Sequence, residues 1–156
     1  MDRLFFDDEK IYDGFSKRLK DRLDEYTLWN DSEDITVLSP DDVDFSQTSF
    51  PCVTFELFGQ RTEPIATDYE EIEYYSYFSV EVDIYTTNAN KYRNALAISN
   101  EIVKLFQEKM VVGGYYSRGL IVEQKERVMS PNDELCRFIV RMSGKADNRN
   151  KLILPR

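Results

Sequence analysis

Eight residues, Phe78 to Tyr85 (FSVEVDIY), alternate cleanly: Phe78, Val80, Val82 and Ile84 point one way, and Ser79, Glu81, Asp83 and Tyr85 the other. Period two over this length, in β-branched and aromatic types, marks a half-buried strand. Thr86, Thr87, Asn88, Ala89 and Asn90 break the alternation, and Asn88 or Asn90 is placed to cap a helix. The helix that follows, the longest in this reading, carries Tyr92, Ala95, Leu96, Ile98, Ile102, Leu105, Phe106 and Met110 at helical spacing. An apolar helix stripe and an apolar strand face must cover each other. The stretch from Tyr74 to Met110 is therefore the pair around which the rest of the chain packs.

The chain has 156 residues, which suits one domain able to bury a core without disulfide staples. No apolar run approaches the ~20 residues needed to span a bilayer, and the start, MDRLFFDDEK, is too short and too acidic for a secretory signal. Cys52 and Cys136 both fall in strand-like segments and read as reduced core thiols rather than a disulfide. Location inside a cell, or in a particle assembled there, is the expectation. There is no histidine. That removes the commonest general base, the commonest transition-metal ligand and the usual partner of a nucleophilic Ser or Cys.

Charge is spread unevenly. Residues 1–22 are neutral, residues 23–90 hold sixteen acids and one base (Arg61), and residues 91–156 hold seven acids and thirteen bases, for a total of −9. Two readings stand. Basic strands can lie beside acidic ones within one fold, or one face can be acidic and another basic, which suits head-to-tail association of identical subunits. An acidic middle argues against a surface that grips nucleic acid, because phosphate binding needs clustered Lys and Arg.

Further elements follow from the same patterns. Ile11, Phe15, Leu19, Leu23 and Tyr26 predict a first helix over 8–28, capped by Asp7 or Asp8; Ile35, Val37 and Leu38 suit a short edge strand stopped by Pro40. Val53, Phe55 and Leu57 alternate in a strand opened by Pro51. Gly59 to Glu73 then reads as a connection of about fifteen residues holding Arg61, Pro64 and five acids, long for a hairpin. Its tyrosine-rich end, YEEIEYYSYF, can extend the strand as an arm, where Tyr74, Tyr75 and Tyr77 serve either cross-strand packing or a protein interface. VVGGYYSR (111–118) reads as a Gly-broken loop, Leu120–Val128 as a charged strand, MSPNDE (129–134) as a turn and Leu135–Ser143 as the last strand. There Arg137 and Arg141 are placed to pair across the sheet with Glu81, Asp83 or Glu123. The end, GKADNRNKLILPR, is a polar spacer before Leu152, Ile153 and Leu154, an apolar triplet expected to dock on its own core or on a neighbour.

The expected architecture is α+β: a mainly antiparallel four-stranded sheet with two helices packed on one face, in the order helix-strand-strand-helix-strand-strand. Residues 1–145 form a single domain with a long inserted loop or arm at 59–76, and 146–156 form a C-terminal extension.

Catalytic signals are weak throughout. Asp41, Asp42 and Asp44 lack the Gly and terminal Glu of a calcium loop and read as a solvated loop. Pro40-Asp41 with Glu123-Gln124-Lys125 supplies the letters of a magnesium nuclease motif, but about eighty residues apart. No nucleophile elbow, phosphate loop, dinucleotide fingerprint or Cys–His pair occurs. The expectation is no catalytic, cofactor-binding or metal-binding residue, and no enzyme.

The run VEVDIYTTNANKYRNALAISNEIVKLFQEKM, a Gly-containing loop, a charged strand, a turn, RFIVRMSGKAD and an apolar C-terminal tag together resemble tail terminator or tail-completion proteins of long-tailed bacteriophages. The first helix and FPCVTFELFG fit the same order, so the resemblance spans about residues 8–156, with the acidic stretch between the first two strands as the departure. It implies a virion component without cofactor or catalysis: a hexameric ring, assembled in the host cytoplasm, that caps the tail tube and joins it to the head or neck. Tube protein and head or neck protein would be its partners, and DNA would pass the bore without specific binding, helped by acidic lining that repels phosphate. Contacts would fall on Tyr74, Tyr75, Tyr77, Arg137, Arg141, Leu152, Ile153 and Leu154. Alternative readings are a neck adaptor, a tail-tube subunit, a magnesium-dependent enzyme, or a monomeric module that binds a peptide or protein through its tyrosine arm.

Overall fold

The computed structural model describes residues 6–30, 34–44, 48–67, 72–87, 89–129 and 134–147, without the side chains of 27–30, 63–67 and 72–74. In chain order they form α1 (Asp8–Asn30), β1 (Thr36–Leu38), a 3-10 turn (Pro40–Asp42), β2 (Cys52–Thr67) and β3 (Ile72–Thr86). Then come α2 (Lys91–Phe106), β4 (Met110–Val112), β5 (Tyr115–Ser117), β6 (Ile121–Val128) and β7 (Cys136–Asp147).

The expected four-stranded, mainly antiparallel sheet is not what forms. Among the described residues there is a seven-stranded mixed sheet, ordered β1-β2-β3-β7-β5-β4, with β6 also paired to β7. Nor does the expected order helix-strand-strand-helix-strand-strand hold: three further three-residue strands join the sheet, one being the short edge strand expected at Ile35–Leu38 and the other two, β4 and β5, too short to show a period. β1 lies parallel to β2, Thr36 opposite Cys52; the segment between them, thirteen residues including the 3-10 turn, is long enough for a parallel return. β4 and β5 form a hairpin around Gly113 and Gly114, both at positive φ (59° and 85°), which a two-residue hairpin turn requires. The stretch expected to be a Gly-broken loop is therefore paired backbone.

The long connection expected from Gly59 to Glu73 is also largely strand. Gly59, at φ 66°, and a shift of register between Phe58 and Arg61 let β2 run on to Thr67 opposite β3. Pro64 is tolerated there because, among the described residues, β1 covers β2 only at Cys52–Thr54, which leaves Pro64 on an edge. β7 likewise continues to Asp147, past the expected end at Ser143.

Both helices lie on one face of the sheet. Phe15 of α1 sits with ring centroids 5.4 Å from Phe106 of α2, 5.5 Å from Phe78 and 6.0 Å from Phe55. Around this aromatic centre Ile11, Leu19, Leu23, Val53, Val80, Val82, Ile84, Ile102, Val140 and Met142 are fully buried, so the alternation from Phe78 to Ile84 and the stripe of α1 face the core together. Asp7 caps α1, its Oδ1 accepting from the Lys10 N–H at 3.1 Å, and its own N–H donates to the Tyr115 hydroxyl. The cap of α2 is Asn90 with no side-chain hydrogen bond; Asn88 lies outside the described residues. The longest helix is α1, with 23 residues against 16 for α2, and Met110 belongs to β4 because α2 ends at Phe106.

Candidate functional site: the open face of the sheet

The face away from the helices is carried by every second residue of β2, β3 and β7: Cys52, Thr54 and Glu56; Tyr85, Asp83, Glu81, Ser79 and Tyr77; Arg137, Ile139, Arg141, Ser143 and Lys145. Two regions of opposite character divide it.

At one end lies a cleft of about 340 Å³ lined by Pro40, Val43, Thr54, Glu56, Glu81, Asp83, Tyr85 and Arg137. Arg137, directly opposite Tyr85, reaches diagonally to Asp83 Oδ2 through Nη2 at 2.6 Å and Nε at 3.0 Å. Arg141, directly opposite Glu81, donates from Nε to its Oε1 at 2.8 Å. The expected cross-strand pairs thus form inside one chain, as charge-assisted hydrogen bonds. Asp83 is buried and its Oδ1 has no hydrogen-bond partner. Burial, followed by the neighbouring Glu81, raises its pKa above the ordinary 3.8. Glu81 goes the other way: burial alone would raise it, yet the hydrogen bond from Arg141 and the positive charges of Arg141 and Arg137 carry it below 4.5. Tyr85, buried beside Asp83, is pushed up to about 12.

At the other end lies a wider cleft of about 470 Å³, lined in part by Arg61, Tyr77, Arg118, Ile121, Glu123 and Lys145. Here cations lie over tyrosine rings: Arg61 over Tyr77 at 5.0 Å, Lys145 over Tyr75 at 4.1 Å, and Arg118 at 5.9 Å from both Tyr75 and Tyr116. Arg118 also pairs with buried Asp147 at 3.3 Å, and Ser143 donates to Glu123.

Of the contact residues expected from sequence, Tyr75 and Tyr77 come together, their rings edge to face at 5.9 Å. Arg137 and Arg141 lie toward the opposite end of the face, and Tyr74 is a backbone position opposite Pro64. Leu152, Ile153 and Leu154 lie outside the described residues. Sequence reasoning missed Arg61, Arg118, Lys145 and Tyr116. They arrive from three strands and a connection, and no local spacing signals their meeting.

The magnesium motif does not assemble. Asp41 lies in the turn beside β1 and β2, whereas Glu123 lies on β6, three strand spacings from β2 or about 14 Å. Asp41 and Asp42 belong to the 3-10 turn capped by Ser39, and Asp44 is tied through its backbone to Thr48. Among the described residues no group of three or more acids and cysteines is arranged to hold a metal ion. Cys52 is opposite Tyr85 and Cys136 opposite Thr86, so β3 separates the two thiols by about 9–10 Å, beyond disulfide reach.

What these elements define is a small α/β fold, two helices on one face of a mixed sheet whose other face carries charged side chains and two clefts. No protein-family model and no curated protein matches the chain. Among solved structures it is similar to a chain in the virion of a native gene transfer agent particle, with a TM-score of 0.57 at 11% identity, over 90% of this chain and 96% of that one. A likeness at that identity is one of fold.

Proposed function

We propose that the chain is a structural protein of a virion, acting through shape and contact rather than catalysis. One observation carries this reading: nearly the whole of the fold, and nearly the whole of its counterpart, align with a chain of a virion particle. The finer reading is a ring, hexameric by resemblance, that caps the tail tube and joins it to the head or neck while DNA passes unbound.

Exposed backbone supports self-association. Among the described residues β2 is covered on its outer side only at Cys52–Thr54, leaving the strand from Phe55 to Thr67 as an open edge able to accept another chain. The proposed subunit contacts are the tyrosine arm (Tyr74, Tyr75, Tyr77), the sheet arginines and the apolar tag Leu152–Leu154. Arg137 and Arg141 each hold a carboxylate of their own chain, yet their side chains stay 40% and 47% exposed and face outward. A neck adaptor or tail-tube subunit shares the same logic of ring assembly.

Native mass spectrometry with negative-stain imaging tests the reading. Six-fold rings, alone or on addition of tube protein, are the expected result. A chain that stays monomeric at high concentration and forms no ring with either tube or neck protein overturns it.

A further inference from the structure

Past Tyr75, opposite Asp147 at the end of β7, no third strand pairs with the β2–β3 hairpin among the described residues. From Pro64 opposite Tyr74 to Thr67 opposite Ile72 it continues as a two-stranded ribbon. Such a ribbon is marginal by itself in water. The segment joining its strands, with their first residues (68–73, DYEEIE), contains four acids, no base, and the two apolar residues Tyr69 and Ile72.

The wide cleft has complementary chemistry. Lys145, over the Tyr75 ring, has no carboxylate partner among the described residues; Arg118 adds a second cation, and Ile121 lines the same cleft with 72% of its surface exposed. Exposed isoleucine beside cations and tyrosines suits an acidic peptide that also carries apolar side chains. It does not suit a phosphate backbone, which the wall carboxylate of Glu123 and the net charge of −9 also disfavour.

We propose that this cleft receives the acidic segment 68–73 of a second copy of the chain, Lys145 and Arg118 taking its carboxylates and Ile121 its apolar side chains. This rests on the reading that the chain assembles with itself. Six residues of extended strand, about 20 Å, separate Arg61 in the cleft wall from Thr67 at the end of β2. The contact is heterologous, cleft to segment, so it propagates around a ring or along a filament.

Zero-length carbodiimide coupling of a mixture of isotopically labelled and unlabelled chain, read by mass spectrometry, tests it. The expected products join Lys145 to Asp68, Glu70, Glu71 or Glu73 and include labelled–unlabelled pairs. Links only within single chains, links from Lys145 to other carboxylates, or none, overturn the proposal. In sedimentation, Lys145→Glu and the pair Glu70→Lys with Glu71→Lys are each expected to raise the concentration for half-assembly about tenfold, and the charge-swapped chain carrying all three to recover it. Lys145→Gln, checked for folding by circular dichroism, serves should the reversal unfold the chain. Failure of the swap to restore assembly also counts against the contact. Cross-copy links in a dimer or filament that never closes would support this contact while sinking the ring.

Discussion

Arg137 places both Nε and Nη2 on one oxygen of Asp83, Oδ2, and leaves Oδ1 buried without a partner. Burial of that carboxylate, and then the neighbouring Glu81, make Asp83 hold its proton more tightly in the fold than in the unfolded chain. As pH rises from about 4 through that raised value, the folded state gives up the proton that favoured it, and this group's contribution to stability falls. Glu81 runs oppositely: its contribution is present above 4.5 and is lost as pH falls through its lowered value. Asp83→Asn keeps an oxygen for Arg137 and supplies an N–H in place of the acid proton. It is expected to flatten the decline above pH about 4, whereas Asp83→Ala strands Arg137 and costs about 1–3 kcal/mol. Urea unfolding of the three proteins between pH about 4 and 8 reads both effects, and parallel curves for wild type and Asp83→Asn would contradict the account.

Phe15 is fully buried and touches three aromatic rings from β2, β3 and α2. Phe15→Ala is expected to cost about 3–5 kcal/mol, seen as a shifted denaturant midpoint with little change in slope. A loss below about 1 kcal/mol would mean that the centre of the core lies elsewhere.

Gly113 combines a positive φ of 59° with contact against α1: a Cβ there would stand 2.6 Å from the Lys10 carbonyl. Gly113→Ala therefore meets both backbone strain and a clash, expected to cost at least about 2 kcal/mol. Gly59, at φ 66°, faces open space, the nearest atom being Ser79 Oγ at 3.9 Å. Gly59→Ala carries only the conformational cost, about 1 kcal/mol. Thermal melts that rank the two the other way would overturn this reading of the β4–β5 turn.

Burial pushes the Cys52 thiol up to about 11, and Cys136 is fully buried. Neither is expected to react with a disulfide reagent at pH about 8 in the folded protein, because the thiolate is the reactive form. Both should react on unfolding. Rapid labelling of Cys52 without denaturant would show that the β1–β2 edge opens.

Arg141 holds Glu81 from an exposed position on the open face. Arg141→Glu is expected to leave the chain folded but weaken self-assembly, measured by sedimentation against wild type. Unchanged assembly would remove this arginine from the proposed contacts.

The strand from Phe78 to Ile84 and the helix stripes of Ile11–Leu23 and Ala95–Phe106 were legible in the sequence, because period two and period 3.6 are written in consecutive side chains and each demands a covered face. So was the pairing of Arg137 and Arg141 with carboxylates across the sheet, while the choice of Asp83 for one and Glu81 for the other came only from the register. Of the three-residue strands, Thr36–Leu38 was legible as a short edge strand but not its parallel pairing with β2, and the other two were not legible. Thr36–Leu38, Met110–Val112 and Tyr115–Ser117 owe their conformation to the edge each lies against, and three residues carry no period. The ribbon beyond Gly59 read as a loop because its glycine, proline and acids break every local rule for a strand, and only cross-strand pairing with Ile72–Tyr77 overrides them. Above all, Arg61, Tyr75, Arg118 and Lys145 meet only after β2, β3, β5 and β7 have been brought edge to edge. Periodicity decides which face of each element is buried; which faces become neighbours is decided by backbone hydrogen bonds between residues far apart in the chain.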